Sequence, residues 1–249
     1  MKTGEIDYPN VIGASGRRHV RSRPFSDPDC GRHLAQFGQI LYFLPEPKAR
    51  ILDLGCGGGW TSTFLAHHGY DVLGVDIAPG MIELAEERSR EESLSGVRFE
   101  VGDFENLDPA GEFDGVLFYD ALHHAEDDRA ALKVAFDALK PGGVCVVSEP
   151  GKGHESSCHS REAVERYNVN EKDMPPRLVR AIGRSLGFAK VEIHPHPFDI
   201  MLAVTAAGRG EQSARLRTRL RRVPALRVLL LNYFAWWRKH SNGITVLVK

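Results

Sequence analysis

The amino-acid sequence predicts an α/β fold of the doubly wound type, with a mostly parallel seven-stranded sheet and helices on both faces. The first observation is that short apolar runs alternate with segments whose apolar residues recur at helical spacing. The second is that glycine and proline end several of these segments, as at Gly69, Lys140–Gly143 and Gly187. Because parallel strands need crossover connections, which are usually helices, this alternation favours a parallel sheet.

Each element follows from its own local pattern. The first helix carries Leu34, Phe37, Ile40 and Leu41 on one face and ends before Pro45. The predicted helices are Cys30–Phe43, Thr61–His68, Met81–Arg90, Arg129–Leu139 and Arg177–Leu186. The predicted strands are Arg50–Leu54, Asp71–Val75, Val97–Val101, Phe113–Tyr119, Val144–Ser148, Lys190–Pro195 and Gly243–Val248. Ligands bind such sheets at the carboxyl ends of the strands, so the residues after each strand are the candidates for a site.

The domain prediction is a flexible N-terminal arm over 1–30, followed by a single domain over 31–249. A chain of 249 residues is long enough for one large α/β domain. The arm holds three prolines, several arginines and few apolar residues. We therefore expect it to be loose, or ordered only when a ligand binds.

Charge is unevenly distributed along the chain. Lys plus Arg total 32 and Asp plus Glu total 33, a formal net charge of -1, which argues against a protein that coats nucleic acid. The stretch Arg209–Lys249 nevertheless carries ten Lys or Arg and one acidic residue, Glu211. We predict a basic helical insertion at about 209–240, before the last strand. The first expectation for it is a lid or a homodimer helix packed on the core, and the second is peripheral contact with an anionic membrane surface.

The cysteines and the apolar runs bear on location. Four cysteines without a CxxC pair fit a reducing compartment. The sequence has no apolar run near the roughly 18 residues that a membrane span needs, and its first 23 residues lack the apolar segment of a secretory signal. The expectation is a cytoplasmic protein, at most peripheral to a membrane.

The strongest chemical signal is the glycine-rich stretch Asp53–Gly59, which follows the first strand and reads Asp-Leu-Gly-Cys-Gly-Gly-Gly. Glycines let a ligand lie against the backbone, and the next helix offers free N–H groups at its start. A dinucleotide loop would need glycine at the sixth position from Gly55, where this chain has Trp60. The carboxylate of Asp53 suits instead a cofactor with a cationic end, such as the amino group of an amino acid.

This D-x-G-x-G-x-G stretch resembles the first motif of the class I S-adenosylmethionine-dependent methyltransferases. Further matches follow in register at Asp76, at Gly102-Asp103-Phe104, at Asp120-Ala-Leu-His-His124 and at Leu139-Lys-Pro-Gly-Gly143. The resemblance implies a Rossmann-like methyltransferase fold and S-adenosylmethionine as cofactor, with S-adenosylhomocysteine as product. The residues that it places at the cofactor are Asp53, Gly55, Cys56, Gly57, Gly59, Asp76, Ile77, Met81, Gly102, Asp103, Phe104 and Tyr119.

The same resemblance gives roles to some of these residues. It places Asp76 against the ribose hydroxyls, since two carboxylate oxygens suit two hydroxyl donors. Asp103 would face the adenine amino group, and Phe104 or Ile77 would stack on the adenine ring.

The candidate catalytic residues are His123, His124 and His154. Histidine accepts a proton near neutral pH, and a hydroxyl acceptor needs one removed. His123 is the better candidate base, because the resembling family has histidine at the position of His124 whatever the acceptor. A metal site formed by Glu149, His154 and His159 matches no defined spacing, so no metal is expected.

The expected acceptor is a sugar or glycan hydroxyl. The segment 149–174 loosely resembles methyltransferases of bacterial surface-polysaccharide gene sets, which predicts a role in polysaccharide biosynthesis. The alternative acceptor is a small molecule or a quinone, which fits Leu-His-His equally well. A polar cleft favours the glycan, and an apolar, aromatic-lined cavity favours the quinone. An alternative of another class is a non-catalytic S-adenosylmethionine-binding protein.

Overall fold

The computed structural model describes residues 2–109, 111–205, 218 and 222–249. In these residues the strands are β1 Arg50–Leu54, β2 Asp71–Asp76, β3 Val97–Val101, β4 Phe113–Tyr119, β5 Leu139–Ser148, β6 Lys190–Pro195 and β7 Gly243–Val248. The helices are α1 Lys2–Val11, α2 Gly13–Ser22, α3 Cys30–Phe43, α4 Trp60–His67, α5 Pro79–Glu91, α6 Asp128–Ala138, α7 Cys158–Tyr167, α8 Pro176–Leu186, α9 Pro197–Thr205 and α10 Pro224–Asn232. A 3₁₀ turn covers Leu122–His124.

The described strands form one sheet in the order β3-β2-β1-β4-β5-β7-β6. The pairs from β3 to β5 are parallel, and β7 runs antiparallel to both β5 and β6. The predicted doubly wound, mostly parallel sheet is thereby confirmed. The strand order reverses direction at β1, between β2 and β4, which is where sheets of this kind open a crevice for ligands.

Apolar side chains fill both faces of the sheet. Neighbouring residues of a strand point to opposite faces, so Leu52 belongs to the cluster beneath α6 and α8, whereas Ile51 belongs to the cluster beneath α3 and α4. On β4, Phe118 and Leu117 divide in the same way, and all four side chains are almost fully buried. The central strands are therefore held from both sides and give the loops at their ends a rigid base.

The N-terminal segment differs from the loose arm that composition predicts. Residues 2–22 form α1 and α2, which pack on α5 and α7. The side chains of Tyr8, Ile12 and Val20 lie against a buried apolar cluster that includes Met81. The guanidinium of Arg88 donates to the carbonyls at the end of α2 and beyond it, for example to Val20 at 3.2 Å. These contacts join residues far apart in the chain, which explains why local composition does not reveal them.

Other elements also differ from the sequence prediction, among them the helix α9, which was not predicted. The helix α7 was not predicted; it begins after Ser157, whose hydroxyl oxygen accepts from the amide of Ser160 at 3.0 Å. The strand β5 begins at Leu139, five residues before the predicted start, and so includes the segment predicted as a turn. A register shift opposite Phe113 and Gly115 accommodates this early start.

Part of the predicted basic insertion lies outside the described residues. The residues that lie outside include Arg209, Gln212, Arg215, Leu216, Arg219 and Leu220. The described part comprises α10 and a π-helical turn, Tyr233–Trp237, in which Trp236 and Trp237 are 67% and 74% exposed. None of the helices in the described ranges is long and apolar enough to cross a membrane.

Candidate active site

The glycine loop between β1 and α4 is tied to the neighbouring strand by its own backbone. The amides of Gly55 and Cys56 donate to the carbonyl of Val75 at 2.8 and 3.0 Å. Gly55 has a φ of +73°, and a Cβ there would lie 2.5 Å from the Cβ of Ala121. Gly57 has a φ of +51° with open space beside it. The loop thus presents bare backbone to a ligand, which is what the sequence predicts for it.

Asp53 differs from the role that the sequence assigns to it. The side chain is buried behind the loop, and its Oδ2 accepts hydrogen bonds from the hydroxyls of Thr61 and Ser62, both at 2.6 Å. Burial raises the pKa of Asp53 to about 6, although the two hydroxyls act in the opposite direction. Asp53 therefore holds the first turn of α4 and does not line the cavity described below.

Gly59 and Gly102 also lie behind the cavity wall rather than in it. A Cβ at Gly59 would be 2.7 Å from the Cβ of Ala85, and one at Gly102 would be 3.0 Å from Leu107 and from Val75. Both glycines let elements of the fold approach closely. Both glycines therefore have packing roles, and neither lines the cavity.

Asp76 ends β2 with its carboxylate on the glycine loop. Its Oδ2 accepts from the amide of Gly57 at 2.8 Å, and its Oδ1 accepts from the amide of Ala78 at 2.9 Å. Burial raises the pKa of Asp76, while these two hydrogen bonds oppose the shift. Since each carboxylate oxygen can accept more than one hydrogen bond, the group can hold the loop and a hydroxyl-bearing ligand together.

A cavity of about 950 Å³ opens at the carboxyl ends of the central strands. It brings together most of the predicted site residues. Those that line it are Gly55, Cys56, Gly57, Asp76, Ile77, Met81, Asp103, Phe104, Tyr119, His123, His124 and His154. Burial raises the pKa of the Cys56 thiol, so this residue is a packed side chain of the loop rather than a reactive thiolate.

One end of the cavity is formed by Asp103 and Phe104. Burial alone would raise the pKa of Asp103, but hydrogen bonds from Lys2, from the amide of Glu105 and from Asn106 lower it. The ring of Phe104 packs edge-on against Phe118, with centroids 5.7 Å apart. Lys2 comes from the N-terminal segment and was not predicted as a site residue; no local signal marks it.

His123 is paired with a buried glutamate that sequence reasoning did not connect to it. Its Nδ1 lies 2.7 Å from Oε2 of Glu149, and Oε1 of Glu149 accepts from the amides of Ala121 and Leu122 at 3.0 and 2.8 Å. A carboxylate that accepts from Nδ1–H fixes the ring tautomer and leaves the lone pair on Nε2. Glu149 follows β5 directly, and this position after a strand was the available signal.

The other two predicted histidines are held by different partners. Nδ1 of His124 donates to the carbonyl of Asn170 at 2.6 Å and lies 3.3 Å from Oε1 of Glu5. Burial alone would lower the pKa of His124, but the nearby carboxylates, Glu5 first, raise it to about 9. Nε2 of His154 hydrogen-bonds to Oε2 of Glu171 at 2.5 Å, and this bond raises the pKa of His154.

A chain of polar side chains, missed by the sequence prediction apart from Tyr119, lines the opposite wall. Nδ1 of His33 lies 2.7 Å from the hydroxyl of Tyr119, which donates to Oε1 of Gln36 at 3.2 Å. Nε2 of Gln36 in turn donates to Nδ1 of His196 at 3.1 Å. Burial raises the pKa of Tyr119 and, with nearby positive charges, lowers that of His196 to about 4. Tyr119 and His196 are therefore uncharged near pH 7.

Comparison with known proteins agrees with this geometry. Residues 51–143 match the family model for a methyltransferase domain. A ubiquinone biosynthesis O-methyltransferase of Azorhizobium caulinodans is 43% identical over 107 residues, which cover 42% of this chain and 41% of that protein. The protein of the same name from Xanthomonas campestris pv. campestris is 38% identical over 104 residues, which cover 41% and 43%. The matched stretches thus span under half the length of these relatives.

Solved structures resemble the whole chain in fold. The putative methyltransferase of Haloferax volcanii, solved with the Trm112 methyltransferase activator, has a TM-score of 0.64 at 21% identity and covers 97% of both chains. Phosphoethanolamine N-methyltransferase 2 of Haemonchus contortus, solved with S-adenosyl-L-methionine, has a TM-score of 0.62 at 20% identity over 95% of this chain and 56% of that one. Residues 51–143 therefore match a methyltransferase domain, and the chain shares its fold with these methyltransferase structures.

Proposed function

We propose that this chain is an S-adenosylmethionine-dependent methyltransferase that methylates a hydroxyl of a sugar or glycan. One observation carries the proposal: the same cavity contains a glycine loop that is hydrogen-bonded to Asp76 and a histidine, His123, that Glu149 orients. The first half of this arrangement suits a nucleoside cofactor. The second suits removal of a proton from an acceptor.

The residues of the cavity fit the cofactor. Gly57 leaves room for the cofactor against the loop backbone, because a Cβ there meets no atom within 4 Å and the loop is otherwise tightly packed. Asp76 would accept from the ribose hydroxyls, and Asp103 from the adenine amino group. Ile77 and Phe104 would enclose the adenine ring. When bound, S-adenosylmethionine supplies a methyl group on a sulfonium, which is already activated for transfer.

The chain's own contribution to the reaction is placement and proton removal. Holding an acceptor oxygen in line with the methyl group can supply much of the rate. The lone pair of Nε2 on His123 can accept the hydroxyl proton, and Glu149 stabilises the charged ring that results. This is the arrangement in which a histidine works as a general base, with the carboxylate fixing its tautomer.

The polarity of the cavity supports a hydroxyl-rich acceptor. The wall of the cavity carries Asp27, Arg32, His33, Gln36 and His159, which offer both donors and acceptors. Sugar hydroxyls both donate and accept, so each can be satisfied by such a wall. Arg32 and His159 are exposed and Asp27 and His33 are half-buried, so these groups can pair with acceptor hydroxyls in place of water.

A quinone-type acceptor is the second candidate, favoured by the ubiquinone-biosynthesis names of the two relatives. Such acceptors are lipophilic and would be met at a membrane. The exposed Trp236 and Trp237 stand beside Arg238 and Lys239, and the Lys239 ammonium lies 5.5 Å from the Trp236 ring. Tryptophan next to basic residues is typical of segments that contact anionic membrane surfaces.

The fold alone leaves room for a protein that does not transfer methyl groups. SpnF, described as a [4+2]-cyclase, has a TM-score of 0.57 to this chain at 19% identity, over 88% of this chain and 80% of that one. Fold does not imply function, so turnover has to be measured directly.

The deciding experiment supplies methyl-labelled S-adenosylmethionine and the pure protein to a lysate of the source cells, then separates aqueous from organic products. Acid-labile label in glycan-sized aqueous material is the expected result. Label that stays in the organic phase after mild acid would favour the quinone. Cofactor binding without any transfer in the lysate would overturn the proposed activity in favour of a non-catalytic protein.

A further inference from the structure

Two histidines and a glutamate converge on the side of the cavity where the acceptor would bind. His123, His124 and Glu171 each offer one ligand atom, and these atoms lie within 4.8 Å of one another. Nε2 of His123 is 3.6 Å from Oε2 of Glu171. In a tetrahedral zinc site with bonds near 2.0–2.1 Å, neighbouring ligand atoms lie roughly 3.4 Å apart. The separation of His123 and Glu171 is close to that value, and the remaining ligand atom, which lies within 4.8 Å, would move closer when an ion binds.

The hydrogen bonds around the two histidines leave the correct nitrogens available. Nδ1 of His123 donates to Glu149, and Nδ1 of His124 donates to the carbonyl of Asn170. In His123 the Nε2 lone pair remains for a ligand. In the metal-free protein the raised pKa of His124 keeps a proton on its Nε2 near pH 7, and an incoming metal ion would displace that proton. Metal-binding histidines in proteins show this same arrangement, in which the second nitrogen donates to a carboxylate or a backbone carbonyl.

The gap between His123 and Glu171 also needs an explanation. A lone pair on Nε2 and a carboxylate oxygen are both acceptors, and 3.6 Å is too long for a hydrogen bond. Two acceptors facing each other repel unless a cation lies between them. His154 adds a hydrogen bond from Nε2 to the Glu171 carboxylate, and ligating carboxylates are commonly fixed in this way.

The carboxylates of the cluster outnumber its cations even when His124 and His154, whose pKa values are raised, are both counted as charged. Three carboxylates, those of Glu5, Glu149 and Glu171, lie within 4 Å of nitrogens on the two converging histidines. The side chains of Glu149 and Glu171 are 2% and 10% exposed, so water screens them little. Buried carboxylates need to be paired with cations or to coordinate metals.

We propose that His123, His124 and Glu171 form a binding site for a divalent metal ion of the zinc class. Two imidazoles and one carboxylate select Zn²⁺ or Co²⁺ over Mg²⁺, which prefers an all-oxygen octahedral shell. Three protein ligands leave a fourth position, and all three residues line the cavity, so that position is available to a ligand there.

The role of the ion in turnover rests on the proposed function, whereas its binding does not. An acceptor hydroxyl bound to the ion would lose its proton more readily, and that proton would pass to water. The oxygen would then form its bond to the methyl carbon as the sulfur–carbon bond breaks, which releases S-adenosylhomocysteine. In the metal-free protein, Nε2 of His123 is the group that accepts the proton.

The test uses tag-free protein dialysed against a chelator and then titrated with Zn²⁺ by calorimetry, with Co²⁺ absorption as a second readout. We expect one equivalent of Zn²⁺ to bind, and Co²⁺ to show the intense d–d bands of a four-coordinate site. Glu171→Gln should weaken Zn²⁺ binding at least about 10-fold. His159→Gln is the matched control, because His159 lines the same cavity outside the cluster, and it should leave Zn²⁺ affinity unchanged.

Wild-type protein that binds no stoichiometric Zn²⁺ or Co²⁺ at 1 mM would overturn the proposal without recourse to a variant. Binding that Glu171→Gln leaves intact, in protein shown to be folded by circular dichroism, would place the ion elsewhere and overturn it as well. S-adenosylmethionine affinity is measured on the same metal-free preparations. If the wild-type protein binds S-adenosylmethionine but not Zn²⁺, the metal site is wrong and the proposed function stands. If it binds Zn²⁺ but not S-adenosylmethionine, the proposed function is wrong and the metal site stands.

Discussion

The cofactor side and the acceptor side of the cavity are built by different kinds of segment. The proposed cofactor side comes from residues 53–119, where most of the predicted contacts lie at or just after the end of a strand. The proposed acceptor side comes from His123 and His124 together with α1, α2, α3 and residues 149–175, which meet only in the folded chain. The family model matches the first set and, of the second, only the two histidines. The comparison teaches that a shared cofactor can be recognised locally, whereas acceptor recognition depends on long-range packing.

The largest expected effect is a loss of turnover without a loss of cofactor binding, when a side chain on the acceptor side is removed. His123→Ala removes the oriented imidazole and should reduce turnover roughly 10²–10⁴-fold, the usual contribution of a general acid or base. Cofactor affinity should stay unchanged, since His123 stands on the acceptor side. Single-turnover kinetics and calorimetry with S-adenosylmethionine measure the two quantities. His67→Ala, at an exposed position on α4, is the control. Wild-type turnover in His123→Ala would end the proposed role of this side chain.

The second prediction acts on the cofactor side alone. Asp76→Ala should weaken S-adenosylmethionine binding by about 1.5–3 kcal/mol, since the hydroxyl donors would lose a charged acceptor and the glycine loop an anchor. Calorimetry measures it, and Asp71→Ala, at the other end of the same strand, should bind normally. An unchanged affinity in Asp76→Ala would remove this carboxylate from the ribose.

The different origins of the two sides also set the limit of sequence prediction. Strand ends and glycine loops are local patterns, so Asp76, Asp103 and His123 could be assigned to the cavity from the sequence alone. Glu149 could be named but not paired with His123, because hydrogen-bond partners 26 residues apart leave no local trace. Lys2 in α1 could not be found at all, since it reaches Asp103 across 101 residues of chain.

The third prediction concerns the packing of α1 and α2 on α5 and α7. Arg88 is largely buried and donates to the carbonyls of Val20, Arg21 and Arg23, so Arg88→Met should cost about 2 kcal/mol in the docking of α2. Trypsin should then cut near Arg17 and Arg18 severalfold faster, while the unfolding transition of the sheet changes less. Limited proteolysis followed by mass spectrometry measures the cutting rate.

The control for the third prediction is Arg90→Met, because Arg90 is on the same helix and its side chain is 67% exposed. Its cutting rate should match that of the wild type. Equal cutting of Arg88→Met and wild type would mean that α2 is held by its apolar contacts alone. The long-range hydrogen bonds of Arg88 would then contribute little to the docking of α2, and apolar packing would account for this part of the acceptor side.

The smallest effect tests whether the glycine loop needs a protonated or an ionised Asp53. Burial raises the pKa of Asp53 to about 6 in the folded protein, above the value of about 3.9 that it has when unfolded. Between these two values the folded state binds more protons than the unfolded state, so stability falls as pH rises through the window and levels off above it. Asp53→Asn cannot ionise and keeps an acceptor oxygen for Thr61 and Ser62. Between pH 4.5 and 5.5 the wild type should therefore lose about 1 kcal/mol of unfolding free energy relative to this variant, measured by urea denaturation at each pH. A difference that grows in the opposite direction would mean that the two hydroxyls stabilise the ionised carboxylate more than burial destabilises it, and the pKa of Asp53 would then be lower in the folded than in the unfolded state.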